Sequence, residues 1–530
     1  MTTHFALGAL APPIALALAA VAAGTLDKTA KRATSRAIQG ALLSFAISAS
    51  LACAVALLGP LRSPLLGVGG VGLSVYVDGL SAALLALVSF VGLIVVRYSR
   101  NYLDGDPGQV RFTRWLALTL AAVETVAVAG NVLLLIVAWA ATSVAISQLL
   151  LFYGERPGAR RAARKKFVAS RLGDLCLLFA AVLLHARFGT LEISDMLASA
   201  RAASAGSPAP TLAALLVVLA ATLKSAQLPL HGWILEVMET PTPVSALLHA
   251  GVVNAGGFLV LRLADVLLLA SPALQILAIM GAATALFGSL AMLPQSSVKV
   301  QLAYSTIAQM GFMLLQCGLG AFSSALLHLL AHSLYKAHAF LSSGSVMDLA
   351  RASWKPREGR VAGAGRLALV VLVIGAAALG AGVSSGYEPL SAPAPVAFGG
   401  ILIMGLAQLL ANALDGTPSL RVLVGAGAKA AMVAGAYFAA QAATARLMTG
   451  SLPLHAASAG VLGAGAAALI VVAFAAVTWF QMQLMRSVDA PFWVAAHVHL
   501  RNGLYLNTIA NRLVLAWWPR RTPATPSHSS

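Results

Sequence analysis

The sequence predicts an all-α polytopic membrane protein with about 15 transmembrane helices. Three observations lead there. Of 530 residues, 59% are apolar and 10% are charged, whereas soluble domains carry about 25% charged residues. Spans of about 20 residues, repeated about 15 times, would absorb nearly all of that apolar content. The apolar runs are also long and even, without the alternation that strands of a membrane barrel require. Strands are therefore excluded as the main element, and so are most classes of soluble enzyme.

The spans are expected at 5–23, 37–59, 74–96, 115–130, 131–153, 167–185, 211–230, 243–264, 271–293, 300–319, 322–346, 361–382, 395–414, 422–443 and 456–480. The first lacks a basic leader and is read as a retained span, not a signal peptide. Segment 186–210, with Ser204, Gly206, Ser207 and Pro208, reads as a flexible outer loop, and 347–360 as a charged inner loop. Between Trp493 and Trp518, His497, His499, Arg501 and Arg512 alternate at helical spacing with Leu500, Leu504, Tyr505, Ile509, Leu513 and Trp517. Such a helix lies on the inner leaflet or docks a soluble partner, and the two are compatible.

A net charge of +18 would ordinarily raise the question of nucleic acid. In so apolar a chain the positive-inside rule accounts for it. With the N-terminus outside, 26 of the 35 Lys and Arg residues fall in inner segments and 5 in outer ones. The outer five are Arg62, Arg187, Arg201, Arg262 and Arg446, while Lys224, Lys299, Lys336 and Lys429 lie in or at the edge of spans. The C-terminus is then cytoplasmic. Cys53, Cys176 and Cys317 each sit in an apolar run. They form neither a disulfide framework nor a zinc motif.

Ionisable groups inside spans are costly, and they usually face a protein interior or a wet path. Lys224, Gln227 and His231 share one helical face, and Pro229 should break that helix. Broken helices at membrane depth line cavities or are buried in protein. A lysine there either snorkels to the interface or exchanges protons. His328, His332 and Lys336 form a stripe at i, i+4, i+8, with His338 beyond. Histidines can relay protons near neutral pH. A metal there is disfavoured, because Lys336 would repel it and no acidic ligand accompanies the pair. His249 and Asn254 lie between these clusters in sequence. Among the acids, Asp174 is three residues from Arg171, which suggests a local ion pair, and Glu124 has no neighbour of opposite sign. Glu236 and Glu239 sit in the connection before Pro241. Lys299 at a span edge precedes Tyr304, Ser305, Thr306 and Gln309, and Lys429 is read as structural.

Four segments carry a resemblance. They are Lys-Ser-Ala-Gln-Leu-Pro-Leu-His-Gly-Trp at 224–233, Met-Glu-Thr-Pro-Thr-Pro-Val-Ser-Ala-Leu-Leu-His-Ala at 238–250, Leu-Ala-Tyr-Ser-Thr-Ile-Ala-Gln-Met-Gly at 302–311 and His-Leu-Leu-Ala-His-Ser-Leu-Tyr-Lys-Ala at 328–337. Over roughly residues 70–350 the chain resembles the proton-conducting membrane subunits of respiratory complex I and the large Mrp antiporter subunit. The resemblance implies two inverted five-helix repeats with broken helices and a polar axis at the membrane midplane. It implies that Lys224 is the proton-switching lysine, His249 the bridge, and His328, His332 and Lys336 the second half-channel, with Asp174 also at a family position. It implies an organisation of N-terminal spans at 1–70, an antiporter-like proton-conducting core at 71–350, C-terminal spans at 351–485 and an amphipathic cytoplasmic tail at 486–530.

Two departures stand out. In Val-Ala-Trp-Ala-Ala-Thr-Ser, Ala140 occupies the position of the family glutamate that pairs with the lysine, and Glu124 is a candidate to replace it. Span 361–382 has no lysine where the family has one. These departures, the basic segment at 160–167 and His-Val-His-Leu-Arg-Asn-Gly-Leu-Tyr at 497–505 resemble the DabB family, the membrane subunits of a bacterial two-component inorganic carbon pump. That resemblance implies a location in the bacterial inner membrane and a soluble zinc-containing DabA-like partner at the cytoplasmic face. The partner would hydrate CO2, driven by proton or Na+ flow through Lys224, His249, His328, His332, Lys336, Lys299, Asp174 and Glu124. The chain itself would then be no enzyme and would bind no cofactor, metal or nucleic acid. The alternatives are a complex I or Mrp-type subunit, and a passive membrane anchor for a soluble enzyme.

Overall fold

The computed structural model describes residues 6–26, 29–203, 209–344, 420–453, 464–486 and 491–517. The predicted spans at 361–382 and 395–414 lie outside these residues. Each of the other predicted spans falls on a helix. In order, the helices are α1 (Ala11–Thr25), α2 (Ala30–Leu58), α3 (Gly79–Tyr102), α4 (Gln109–Val128), α5 (Val132–Leu150), α6 (Pro157–Phe188), α7 (Ile193–Arg201), α8 (Thr211–Lys224), α9 (Gly232–Leu235) and α10 (Thr242–Arg262). There follow α11 (Ala264–Leu268), α12 (Ser271–Ala291), α13 (Val298–Gly318), α14 (Phe322–Leu341), α15 (Leu420–Leu447), α16 (Ala464–Arg486), α17 (Pro491–Arg501) and α18 (Leu506–Trp517). The chain is a polytopic all-α membrane protein, and seven helical stretches among the described residues are long and apolar enough to cross a bilayer by themselves.

The third predicted span starts later than its apolar run. Residues 61–77 instead form two nested antiparallel pairs, β1 (Leu61–Arg62) with β4 (Tyr76–Val77), and β2 (Leu66–Val68) with β3 (Val71–Leu73). The reason is local. Gly69 and Gly70 both take positive φ, 60° and 76°, the conformation a two-residue hairpin turn needs. Helix α3 then starts at an Asp78 cap, whose carboxylate accepts from Ser81 N at 2.9 Å. Asn131 caps α5 in the same manner, accepting from Leu133 N at 3.0 Å.

The hairpin end of the bundle neutralises its cations. Arg262 donates both terminal nitrogens to Asp78 at 2.9 Å, in a pair almost wholly removed from solvent. Arg201 meets Asp265 at 2.8 Å, and Arg62 pairs with Asp195 and reaches Glu192. Three of the five arginines assigned to the outer side are thus matched by carboxylates.

Small residues set the closest helix contact. A side-chain carbon on Gly281, Gly288, Gly311 or Gly318 would collide with backbone of the facing helix. Helices α12 and α13 therefore touch backbone to backbone, as small residues permit in membranes. Against this rigid pair lie two interruptions of the helical ladder. Helix α8 stops at Lys224, before the predicted break at Pro229, and Ala226 takes a positive φ of 53°. Helix α10 carries a π-turn at Leu248–Val252. Single π-turns within α-helices frequently mark functional positions.

Candidate functional site

Lys224 is the last residue of α8 and is 3% exposed, so it does not snorkel. Its ammonium donates to the Trp139 carbonyl at 3.2 Å, Thr142 Oγ1 at 2.7 Å and Ser143 Oγ at 3.0 Å. It also lies 4.4 Å from the centroid of the Trp139 ring. A cation over an indole face and at a helix C-terminus is favoured electrostatically by both. All three oxygens come from one turn of α5, the turn containing Ala140. Glu124 is elsewhere. Its Oε1 accepts from Ser44 on α2 at 2.7 Å and its Oε2 has no partner, so the acid is fully buried but makes no contact with Lys224.

From Lys224 a run of buried polar groups crosses to α14. The adjacent Ser225 donates to the Val253 carbonyl at 3.0 Å. Asn254, next to Val253, donates to the Ala250 carbonyl at 2.9 Å, a group freed by the π-turn, and to Ser333 Oγ at 2.6 Å. Ser333 lies between His332 and Lys336 on α14, and all of these side chains are buried. Lys336 is 0% exposed and donates to the Leu302 carbonyl on α13 at 3.0 Å.

His249 sits on the π-turn, its ring stacked on Phe340 at 4.3 Å between centroids. Both its ring nitrogens, His332 Nε2 and Asn254 Oδ1 are buried without a protein partner. Polar atoms so placed are normally served by water. The His328 and His332 rings lie 6.2 Å apart. His328 Nδ1 donates to Gln316 Oε1 at 3.1 Å, which leaves Nε2 as the acceptor. Beside these two histidines lies an open, largely apolar cavity of about 430 Å³, lined also by Gln309, Phe312, Ser324, Leu327 and Tyr437. Lys299 lies at the margin, donating to Thr242 Oγ1 at 2.9 Å.

On the other side of Lys224, Asp174 pairs with Arg171 at 2.6 Å, the local pair its spacing suggested. Two lysines assigned by sequence to a solvated inner segment prove buried on α6. Lys166 bonds Ser170 Oγ at 3.0 Å and sits over Trp233. Lys165 pairs with Glu236 at 2.6 Å and donates to Asn507 of the tail at 2.7 Å. The basic run conceals them, because α6 continues helically through it from Pro157. The i, i+4 spacing of Lys166, Ser170 and Asp174 was the signal that could have found this face. Thr142, Ser143 and Ser333 were legible only as ordinary helix residues.

The comparisons agree with this architecture. Residues 129–382 match the family model described as NADH:quinone oxidoreductase/Mrp antiporter, TM. Residues 67–113 match that of the N-terminus of complex I chain 5. Among curated relatives, the "Probable inorganic carbon transporter subunit DabB2" of Halothiobacillus neapolitanus is 42% identical over 87% of this chain and 84% of its own length. NADH-quinone oxidoreductase subunit L of Escherichia coli is 38% identical over 52% of this chain and 46% of its own. The Mrp complex of Dietzia sp. DQ12-45-1b shares the fold, with a TM-score of 0.56 at 24% identity, over 97% of this chain and 58% of that one. Antiporter-like helices, the broken-helix lysine motif and near full-length similarity therefore converge: this chain belongs to the DabB family of inorganic carbon transporter subunits.

Proposed function

We propose that this chain is the ion-conducting membrane subunit of an energy-coupled inorganic carbon accumulation complex. It passes protons or Na+ along the buried polar run and so drives CO2 hydration on a soluble zinc-containing partner resembling DabA. The chain contributes no catalytic site of its own. Its place is the bacterial inner membrane, with the N-terminus outside and the C-terminus and partner cytoplasmic.

One observation carries the reading. Two buried lysines, Lys224 and Lys336, are each held by protein oxygens, and between α8 and α14 Ser225 bonds the Val253 carbonyl while Asn254 bonds Ser333. Ionisable groups at this depth ordinarily mark ion paths. His249, His328 and His332 extend the run toward the cavity beside α14. Asp174 and Lys299 flank it, and Glu124 is a protonatable group off to its side. The membrane potential supplies about 2.3 kcal/mol per charge per 100 mV, so a few charges bias a hydration equilibrium substantially. The relatives named as inorganic carbon transporter subunits support the substrate class.

The test is Lys224→Ala and Lys336→Ala in a strain that requires high CO2 for growth. The proposal expects an assembled complex, judged by copurification of the partner, that no longer supports growth in air. Growth of both variants in air would favour a passive anchor instead.

A further inference from the structure

Resting on the ion-conducting role proposed above, the geometry points to Thr142 and Ser143 as positioning residues that let Lys224 exchange a proton without a counter-carboxylate, making H+ the conducted ion. An ammonium has three N–H donors. The structure gives Lys224 three acceptors, Trp139 O, Thr142 Oγ1 and Ser143 Oγ, and no carboxylate among its contacts. The charged form is therefore saturated.

The hydroxyls do something a carboxylate would not. Thr142 Oγ1 donates to Trp139 O at 2.7 Å, and Ser143 Oγ lies 3.4 Å from the same carbonyl. While Lys224 is charged, Thr142 spends its proton on that carbonyl, and both hydroxyls offer lone pairs to the amine. When Lys224 passes its proton to a water molecule of the buried polar run, which becomes the hydronium that carries it onward, the amine is left with two donors and one lone pair. A hydroxyl can then rotate its O–H from Trp139 O to the amine nitrogen, because hydroxyls both donate and accept. The same cage serves both protonation states with no heavy-atom movement. An ionised carboxylate only accepts, and it would hold the charged form selectively. Sodium has no comparable place here, since the three oxygens it would need are those already used by the amine.

The experiment reconstitutes the complete complex in liposomes with a trapped pH-sensitive dye and an imposed potential. Thr142→Val with Ser143→Ala is compared with Thr142→Ser and with Lys224→Met. The inference expects flux at least about tenfold lower in the double variant, within about twofold of wild type for Thr142→Ser, and the same wild-type flux in sodium-free potassium salts. It also expects the pH profile of residual flux to move, which a merely structural role would not cause. Should the double variant fail to assemble, the single substitutions Thr142→Val and Ser143→Ala read the same loss. Wild-type flux in these variants with none in Lys224→Met would overturn the hydroxyl role while sparing the conduction proposal. Undiminished flux in Lys224→Met would overturn the conduction proposal itself, and flux that requires sodium would overturn the choice of ion.

Discussion

Lys224 and Thr142 are 82 positions apart in sequence, and that distance explains what could and could not be read beforehand. A lysine in an apolar run announces itself by the cost of burying it. The hydroxyls that receive it do not, because threonine and serine are unremarkable in membrane helices and usually bond their own backbone. Several here do so, including Ser99 and Thr119. The sequence likewise suggested Glu124 as the replacement for a carboxylate at position 140, whereas the fold turns that acid toward Ser44. Glu124→Gln keeps an acceptor for Ser44, so ion flux in liposomes should stay within about twofold of wild type. A tenfold loss would bring Glu124 into the path.

Helix ends and interruptions decide how these residues meet. The early stop of α8 places Lys224 at a C-terminus facing α5, and the π-turn in α10 places His249 and Asn254 against α14. Proline placement revealed that a break exists but not where. The helix ends at Lys224, five residues before Pro229, and just beyond it Ala226 takes a positive φ that no helix continues through. The hairpin end is held by the Arg262–Asp78 pair, with Ser81 as a further partner of Arg262. Removing one member of a buried ion pair typically costs about 3–5 kcal/mol. Arg262→Met should therefore lower the yield and thermal stability of the purified complex, measured by scanning fluorimetry, and Arg446→Met, at an exposed site, should not. The tail is an element with two seats. Asn507 contacts Lys165, and Gln295 donates to the Arg501 carbonyl at 3.2 Å. Asn507→Leu should loosen α18, read as faster hydrogen exchange over 506–517.

At the scale of the whole molecule, composition alone fixed the class. A chain that is 59% apolar and 10% charged has no soluble fold available. The arrangement of arginines adds a second layer to the charge bias. Three of the five assigned to the outer side are paired with acids, a pairing that the count of basic residues could not show. The tail leaves Phe492, Val494, Ile509 and Leu513 exposed on its outer face. Deleting residues 490–530 should abolish copurification of the proposed soluble partner while the helical body remains folded. Retention of the partner by the shortened chain would count against a docking role.

If ions pass between the regions of the two buried lysines, Asn254 is the residue to remove, because among the described residues it bonds α10 to Ser333 on α14. The most direct measurement is proton flux into dye-loaded liposomes by the complex carrying Asn254→Leu, with Lys224 and Lys336 untouched. Conduction along this polar run predicts an assembled complex whose flux is at least about tenfold below wild type. Wild-type flux through that variant would contradict it.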